Sequence, residues 1–140
     1  GRFLTTGGMG TMGYSVPCGV GAKMAAPDRE VVVVCGDGSF QMQMMELATI
    51  MQEGIAVKMI IMRNNRLGMV RELQTKNYED HQIAVHLDGS PDFVALARSY
   101  GIEADRVVTM AEAEEKIDKL VNSDKPYLLE CNVYKLESTL

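Results

Sequence analysis

The stretch EVVVVCGDGSF, residues 30–40, constrains the fold more than any other part of the chain. Its four consecutive valines are β-branched and lack polar alternation, so they read as a short strand covered on both faces, the parallel-sheet type. The strand runs into Gly36-Asp37-Gly38-Ser39 and then into a helical pattern, which puts a carboxylate at a sharp strand-to-helix turn. Asp37 then stands at the carboxyl edge of a central strand, the edge at which open α/β sheets bind ligands. Flanking glycines let a ligand approach the backbone and expose N–H groups, and the start of a helix favours an anion. A phosphate suits this turn but is repelled by Asp37. A divalent metal between the two removes the conflict.

A second strand ends in a comparable way. AVKMIIM, residues 56–62, leads into Arg63-Asn64-Asn65. The 25 residues from 39 to 63 hold one helix and one strand, a single right-handed crossover. Such a unit brings both strand ends to one edge, with Asp37 offering a carboxylate and Asn65 an amide oxygen. Hard oxygen ligands facing phosphate oxygens fit octahedral magnesium, which takes few protein ligands and completes its shell with phosphate and water. Taken singly the parts are bland: Asp37 is a turn residue, and Asn64-Asn65 is another turn, since Asn tolerates left-handed backbone. Their pairing at this spacing carries the reading.

Strands and helices alternate around these two ends. RFLTT, residues 2–6, reads as a short strand entering the glycine-rich GGMGTMG, and YSVPCGVGAKMAA as a helix of small apolar residues. Phe40, Met44, Leu47 and Met51 fall on one helix face, which Gly54 closes. Residues 66–90 are polar and poorly periodic apart from a short helix through MVRELQ. SPDFVALARSYG reads as a helix capped by Ser90 or Asp92, with Phe93, Leu96, Ala97 and Tyr100 inward. DRVVT follows as a strand, then MAEAEEKIDKLVNS as an amphipathic helix with Ala113, Ile117, Leu120 and Val121 inward, then PYLLECNV as a last strand. This order predicts one α/β domain over residues 1–140, a doubly wound parallel sheet with helices on both faces. The chain opens without Met and in the middle of an element, which fits a fragment of a longer polypeptide.

Composition excludes several classes. A net charge of -5 supplies no basic stripe for nucleic acid. No apolar run is long enough to span a bilayer and no signal segment opens the chain, so the expectation is a cytoplasmic location without membrane association. Cys18, Cys35 and Cys131 read as small buried hydrophobes in a reducing compartment. Of the 11 methionines, Met44, Met51, Met59 and Met62 fall on core stripes, whereas Met12 and Met69 lie beside glycines and outside any stripe. His81 and His86 read as solvated loop residues, and Glu112, Glu114 and Glu115 as the wet first turn of a helix.

GDG, then 25 residues, then NN resembles the signature of the thiamine-diphosphate-dependent enzymes, where it marks the diphosphate-binding (PP) module. GGMGTMGYSVPCGVGAK at 7–23, NNRLGMV at 64–70 and PDFVALARSYGI at 91–102 resemble the acetohydroxyacid synthases, also called acetolactate synthases. The resemblance implies that Asp37, Asn65 and the main-chain carbonyl of Leu67 hold Mg2+, and that Gly36, Gly38 and Ser39 form the diphosphate turn. It implies that the Gly10 carbonyl meets the aminopyrimidine, that Met12 wedges between the rings of a bent thiamine diphosphate, and that Met69 lines the substrate side. The implied reaction decarboxylates pyruvate and adds the resulting hydroxyethyl carbanion to a second 2-oxo acid. The cofactor carries this chemistry, so no Ser, Cys or His nucleophile is required and no catalytic side chain is assigned.

In that family the glutamate that activates the aminopyrimidine comes from the pyrimidine-binding domain of a second subunit. The resemblance therefore implies a homo-oligomer, half an active site in this chain, and inactivity of the chain alone. FAD, bound by many members, belongs to a domain outside this one. Where these synthases commonly carry a Trp, this chain has Leu73, and it contains no Trp. Alternatives are the PP module of a pyruvate oxidase or 2-oxo acid decarboxylase, a separate chain that pairs with a pyrimidine-binding subunit, and a non-catalytic flavodoxin-like binder of phosphate or FMN. The flavodoxin-like reading needs no magnesium and leaves Asp37 beside a phosphate unexplained. A fragment inert on its own, with Met69, Val70 and Leu73 on its partner-facing surface, is a further alternative.

Overall fold

The computed structural model describes residues 2–136. Helix α1 (Ser15–Ala25) precedes β1 (Val32–Gly36), α2 (Asp37–Gln41), α3 (Glu46–Gln52) and β2 (Lys58–Arg63); α4 (Gly68–Asn77), α5 (Phe93–Ser99), β3 (Glu103–Val107), α6 (Ala113–Val121) and β4 (Tyr127–Asn132) complete the order. The strands form one parallel sheet in the order β1-β2-β4-β3. Consecutive residues of a strand point to opposite faces. Leu128 joins a large cluster with Phe40, Leu47, Ile50, Met59 and Phe93, while Tyr127 and Leu129 join a smaller one with Val107 and Leu120, so both faces carry a core. Each fully buried Leu or Ile contributes about 2 kcal/mol.

Three of the four valines, Val32 to Val34, form the strand with Cys35 and Gly36, but not in the expected place. Among the described residues β1 lies at the edge of the sheet, pairing with β2 alone, and its burial alternates: Val33 and Cys35 are covered, whereas Val32 and Val34 are 45% and 57% exposed. β-branching specifies extended backbone, and it does not specify how many neighbours the strand has. Helix α1 covers the inner face at very short range, because a Cβ on Gly19 would lie 2.2 Å from Val33 Cγ2. Only a glycine permits that approach.

Other expectations shift for local reasons. RFLTT forms no strand; Phe3 and Leu4 are exposed and find no sheet partner. The helix after the turn breaks at residues 42–45 into α2 and α3, which rephases its stripe: Phe40, Leu47 and Ile50 are buried, Met44 is partly covered and Met51 reaches solvent. Gly54, at φ +64, ends that segment as expected. Met59 is core but Met62 is exposed, and Cys18 and Cys131 are only partly buried. Burial pushes the Cys35 thiol up to about 12, with the Asp37 charge adding to the effect, which makes it inert. Asp92 rather than Ser90 caps α5, accepting the Ala95 N–H at 3.0 Å, and Tyr100 faces out. On α6 only Leu120 is fully buried, while Ile117 and Val121 remain exposed. Among the described residues no helix is long and apolar enough to cross a membrane.

Candidate functional site

Asp37 opens α2 directly after β1, and it is 1% exposed. Its Oδ1 accepts the Gly38 N–H at 2.9 Å, and its Oδ2 accepts the Asn65 N–H at 2.7 Å. One carboxylate therefore ties together the two strand ends that the spacing paired. Burial raises the Asp37 pKa above the ordinary value; the N–H groups of Asn65, Gly38 and Asn64 and the charge of Arg63 pull the other way without cancelling it. Among the described residues Asp37 forms no ion pair with Lys or Arg, and no cluster of three or more His, Cys, Asp or Glu exists. The donor set at this edge is one carboxylate with amide and carbonyl oxygens.

The two asparagines divide their work. Asn65 is left-handed, with φ 55, which lets its N–H reach Asp37, and its Oδ1 accepts from Arg63 Nε at 2.9 Å. Asn64 Oδ1 accepts the Arg66 N–H at 2.9 Å, closing a tight local turn. The Leu67 carbonyl accepts the Arg71 N–H at 2.9 Å, so it is engaged in the first turn of α4.

The glycine turn is closely packed on one side and open on the other. A Cβ on Gly38 would stand 2.5 Å from Leu67 Cδ2 and 3.2 Å from both Leu87 Cδ1 and Met12 Cε, whereas one on Gly36 would meet nothing within 4 Å. Ser39 Oγ accepts the Gly13 N–H at 2.9 Å, which fastens the end of the glycine-rich arm to α2. The structure thus gathers Met12, Gly36, Asp37, Gly38, Ser39, Asn65 and Leu67 at one sheet edge. Gly10 and Met69 stay apart: Gly10, at φ +63, has nothing within 4 Å of a Cβ position, and Met69 is 57% exposed on α4. Helix α4 turns Met69, Val70 and Leu73 outward and buries Glu72.

Sequence reasoning missed a second polar cluster beside this edge. A cavity of about 650 Å³ is lined by Arg63, Asn64, Asn65, Ser90, Arg106 and Glu130 among others. Glu130, 1% exposed, pairs with Arg63 at 3.3 Å and with Arg106 at 2.7 Å. Its only signal in the sequence is an acid inside the apolar run YLLEC.

The residues present fit a hard divalent cation and a diphosphate. The cation would find one buried acid and neighbouring amide oxygens, and the phosphate would find a turn at which a side chain on Gly38 would collide.

Comparison with known proteins shows the family. A probable acetolactate synthase large subunit of Methanocaldococcus jannaschii is 47% identical over 128 residues, 91% of this chain and 22% of its own length. The acetolactate synthase isozyme 2 large subunit of Escherichia coli is 38% identical over 137 residues, 98% of this chain and 25% of its own. This chain therefore spans about a quarter of the relatives it matches. A thiamine diphosphate-dependent 4-hydroxybenzoylformate decarboxylase of Rhodococcus jostii superposes with a TM-score of 0.82 at 29% identity, covering 90% of this chain and 24% of that one. The family model of the thiamine pyrophosphate enzyme C-terminal TPP binding domain matches residues 1–131, and the chain belongs to that family.

Proposed function

We propose that this chain is the diphosphate-binding module of an acetolactate-synthase-like carboligase, which decarboxylates pyruvate and joins the remaining two-carbon unit to a second 2-oxo acid. The observation that carries the reading is Asp37: a buried carboxylate, joined to both strand ends by backbone N–H groups, whose raised proton affinity calls for a cation. Thiamine diphosphate, when bound, supplies the carbon nucleophile and the electron sink. Everything else the chain contributes is position and electrostatics.

Asp37 would hold Mg2+ on one side, and the Gly36-Asp37-Gly38-Ser39 turn would present backbone groups to the diphosphate. For the amide-oxygen ligand, Asn65 Oδ1 sits 2.9 Å from the Arg63 guanidinium, which repels a divalent cation. Among the described residues Asn64 Oδ1 accepts from a backbone N–H and from no cationic side chain, and it suits the cation better. A carbonyl from this loop would complete the protein share; Leu67 serves only if it leaves or shares its α4 bond. Met12, already against Gly38, would shape the cofactor, and Met69 and Leu73 would border the substrate.

The pyrimidine-binding domain of a second subunit would supply the activating glutamate, so the assembly is an oligomer and this chain alone is inactive. FAD, if present, lies outside this domain. The decarboxylase among the structural neighbours favours a second reading, a decarboxylase module that stops after the loss of carbon dioxide. Product analysis of the assembled enzyme separates the two.

The test is calorimetric titration of the chain with thiamine diphosphate, with magnesium and then with chelator, repeated on Asp37→Ala. Magnesium-dependent binding that the substitution abolishes supports the reading. Binding indifferent to chelator and to Asp37 would sink it.

A further inference from the structure

Arg63 ends β2, paired in register with Asn132 of β4, and its side chain is 15% exposed. Few residues here make so many polar contacts. Its Nε donates to Asn65 Oδ1 at 2.9 Å, its Nη1 to the Pro91 carbonyl at 3.0 Å and to Glu130 Oε2 at 3.3 Å, and its Nη2 to the Ser90 carbonyl at 3.4 Å. The guanidinium also lies 5.0 Å from the Phe93 ring centre, a cation–π contact, and Phe93 in turn meets Phe40 edge-on at 5.1 Å.

These contacts share a topology. Between Asn65 and Ser90 the chain leaves the sheet, forms α4 and returns; on the way back Leu87 N–H donates to the Asn65 carbonyl and Leu67 N–H to the Val85 carbonyl, both at 2.9 Å. Arg63 holds the residue where this excursion starts and the two residues where it finishes. Asn65 needs such support, because its left-handed backbone is the conformation that turns its N–H onto Asp37. We infer that Arg63 is a positioning residue, acting through Asn65 to hold the Asp37 carboxylate and through Ser90 and Pro91 to close the 66–90 excursion over that edge. The inference rests on the reading of Asp37 as a cation ligand only for its consequence, not for the geometry.

Arg63 suits this work in a way that Lys does not. A planar guanidinium presents five donors in a fixed fork, enough for the amide, both carbonyls and the acid at once, whereas an ammonium has three on a flexible stem. Arg106 provides the internal control. It pairs with the same Glu130, through Nε at 2.7 Å, and with Asp92 at 2.8 Å, yet among the described residues it donates nothing to Asn65, Ser90 or Pro91. A role exerted merely through the buried acid predicts equal effects for the two arginines. Positioning through Asn65 predicts unequal ones.

The experiment compares Arg63→Met, Arg63→Lys and Arg106→Met with the unaltered chain, reading amide hydrogen exchange at Asn65 and Leu87 by NMR and magnesium half-saturation in the presence of thiamine diphosphate. We expect both Arg63 variants to speed exchange at those two amides and to weaken magnesium about tenfold, with Arg106→Met staying within about twofold on each. Equal effects in Arg63→Met and Arg106→Met, or unaltered exchange in both Arg63 variants, would overturn the inference. If Arg63→Met fails to fold, Arg63→Lys keeps the charge beside Glu130 and carries the comparison. If the unaltered chain, as half of a site, shows no magnesium-dependent binding, the exchange ratio between Arg63 and Arg106 variants still decides whether Arg63 positions Asn65.

Discussion

Asp37 and Glu130 are both carboxylates 1% exposed to solvent, and the protein treats them in opposite ways. Glu130 lies within β4, opposite Ile61 of β2 and Arg106 of β3, and two guanidinium groups reach it. Asp37 lies just past β1, and its two hydrogen bonds come from backbone N–H groups. A buried charge costs several kcal/mol unless it is paired. The first is paired inside the fold; the second is left with partial dipoles and a raised proton affinity. Burial alone does not mark a site. A buried acid whose compensation is incomplete does, and the missing part has the character of a cation.

The largest expected effect breaks the Asp37 side of this contrast. Asp37→Ala should weaken magnesium-dependent binding of thiamine diphosphate about a thousandfold, equivalent to about 4 kcal/mol, in calorimetric titration. It should leave the fold in place, since the lost group satisfied only two N–H donors. Glu130→Gln should do the reverse. Removing the charge between Arg63 and Arg106 should cost about 3 kcal/mol of stability by urea unfolding. If that substitution instead abolished binding at full stability, the two acids would belong to one site and the contrast would fail.

Smaller changes sharpen the picture within the site. Gly38→Ala should lose about 2 kcal/mol, because its Cβ meets Leu67 at 2.5 Å and the neighbouring Leu87 and Met12 also close in. An unchanged midpoint in urea would mean that these side-chain ends swing aside freely. Asn64→Ala should weaken magnesium about tenfold, or about 1.4 kcal/mol, if its amide oxygen is the ligand. Asn65→Gly, which adopts the left-handed backbone without strain and so keeps its N–H on Asp37, should cost less. The opposite ranking would return the ligand role to Asn65 in spite of Arg63.

Much of this was legible in the residues, and the illegible part has physical causes. Val32 to Gly36, the turn at Asp37 and the second strand end at Asn65 follow from β-branching, glycine and the length of one crossover, all local properties. Met12, which stands apart from any core stripe in the glycine-rich segment, folds against Gly38 at that turn. Three things were not local. The position of β1 at the described edge depends on what else pairs with it, and the bare Val32 and Val34 record that. The break between α2 and α3 leaves Met51 exposed and Ile50 buried, a rephasing that a periodic stripe cannot show. Arg63 and Glu130 lie 67 residues apart, so their pairing needed the sheet order before it had any meaning.

The smallest expected effect separates two acids by the sign of their pH dependence. The folded pKa of Asp37 lies above its ordinary 3.8, so in the metal-free protein its contribution is most favourable below 3.8 and is lost as pH rises through the folded value. Glu112 behaves oppositely. The Lys116 ammonium, then the N–H groups of Val108 and Thr109, hold it down to about 2, so its contribution is present above 4.5 and is lost as pH falls toward about 2. Urea midpoints measured from about pH 2 to about pH 7 should therefore rise at the acid end and sag above it. Glu112→Gln should flatten only the rise, and Asp37→Asn only the sag. Magnesium with thiamine diphosphate should remove the sag in the unaltered chain, because a cation on Asp37 favours its charged form; a sag that persists under saturating cation would mean that the metal is not held by Asp37.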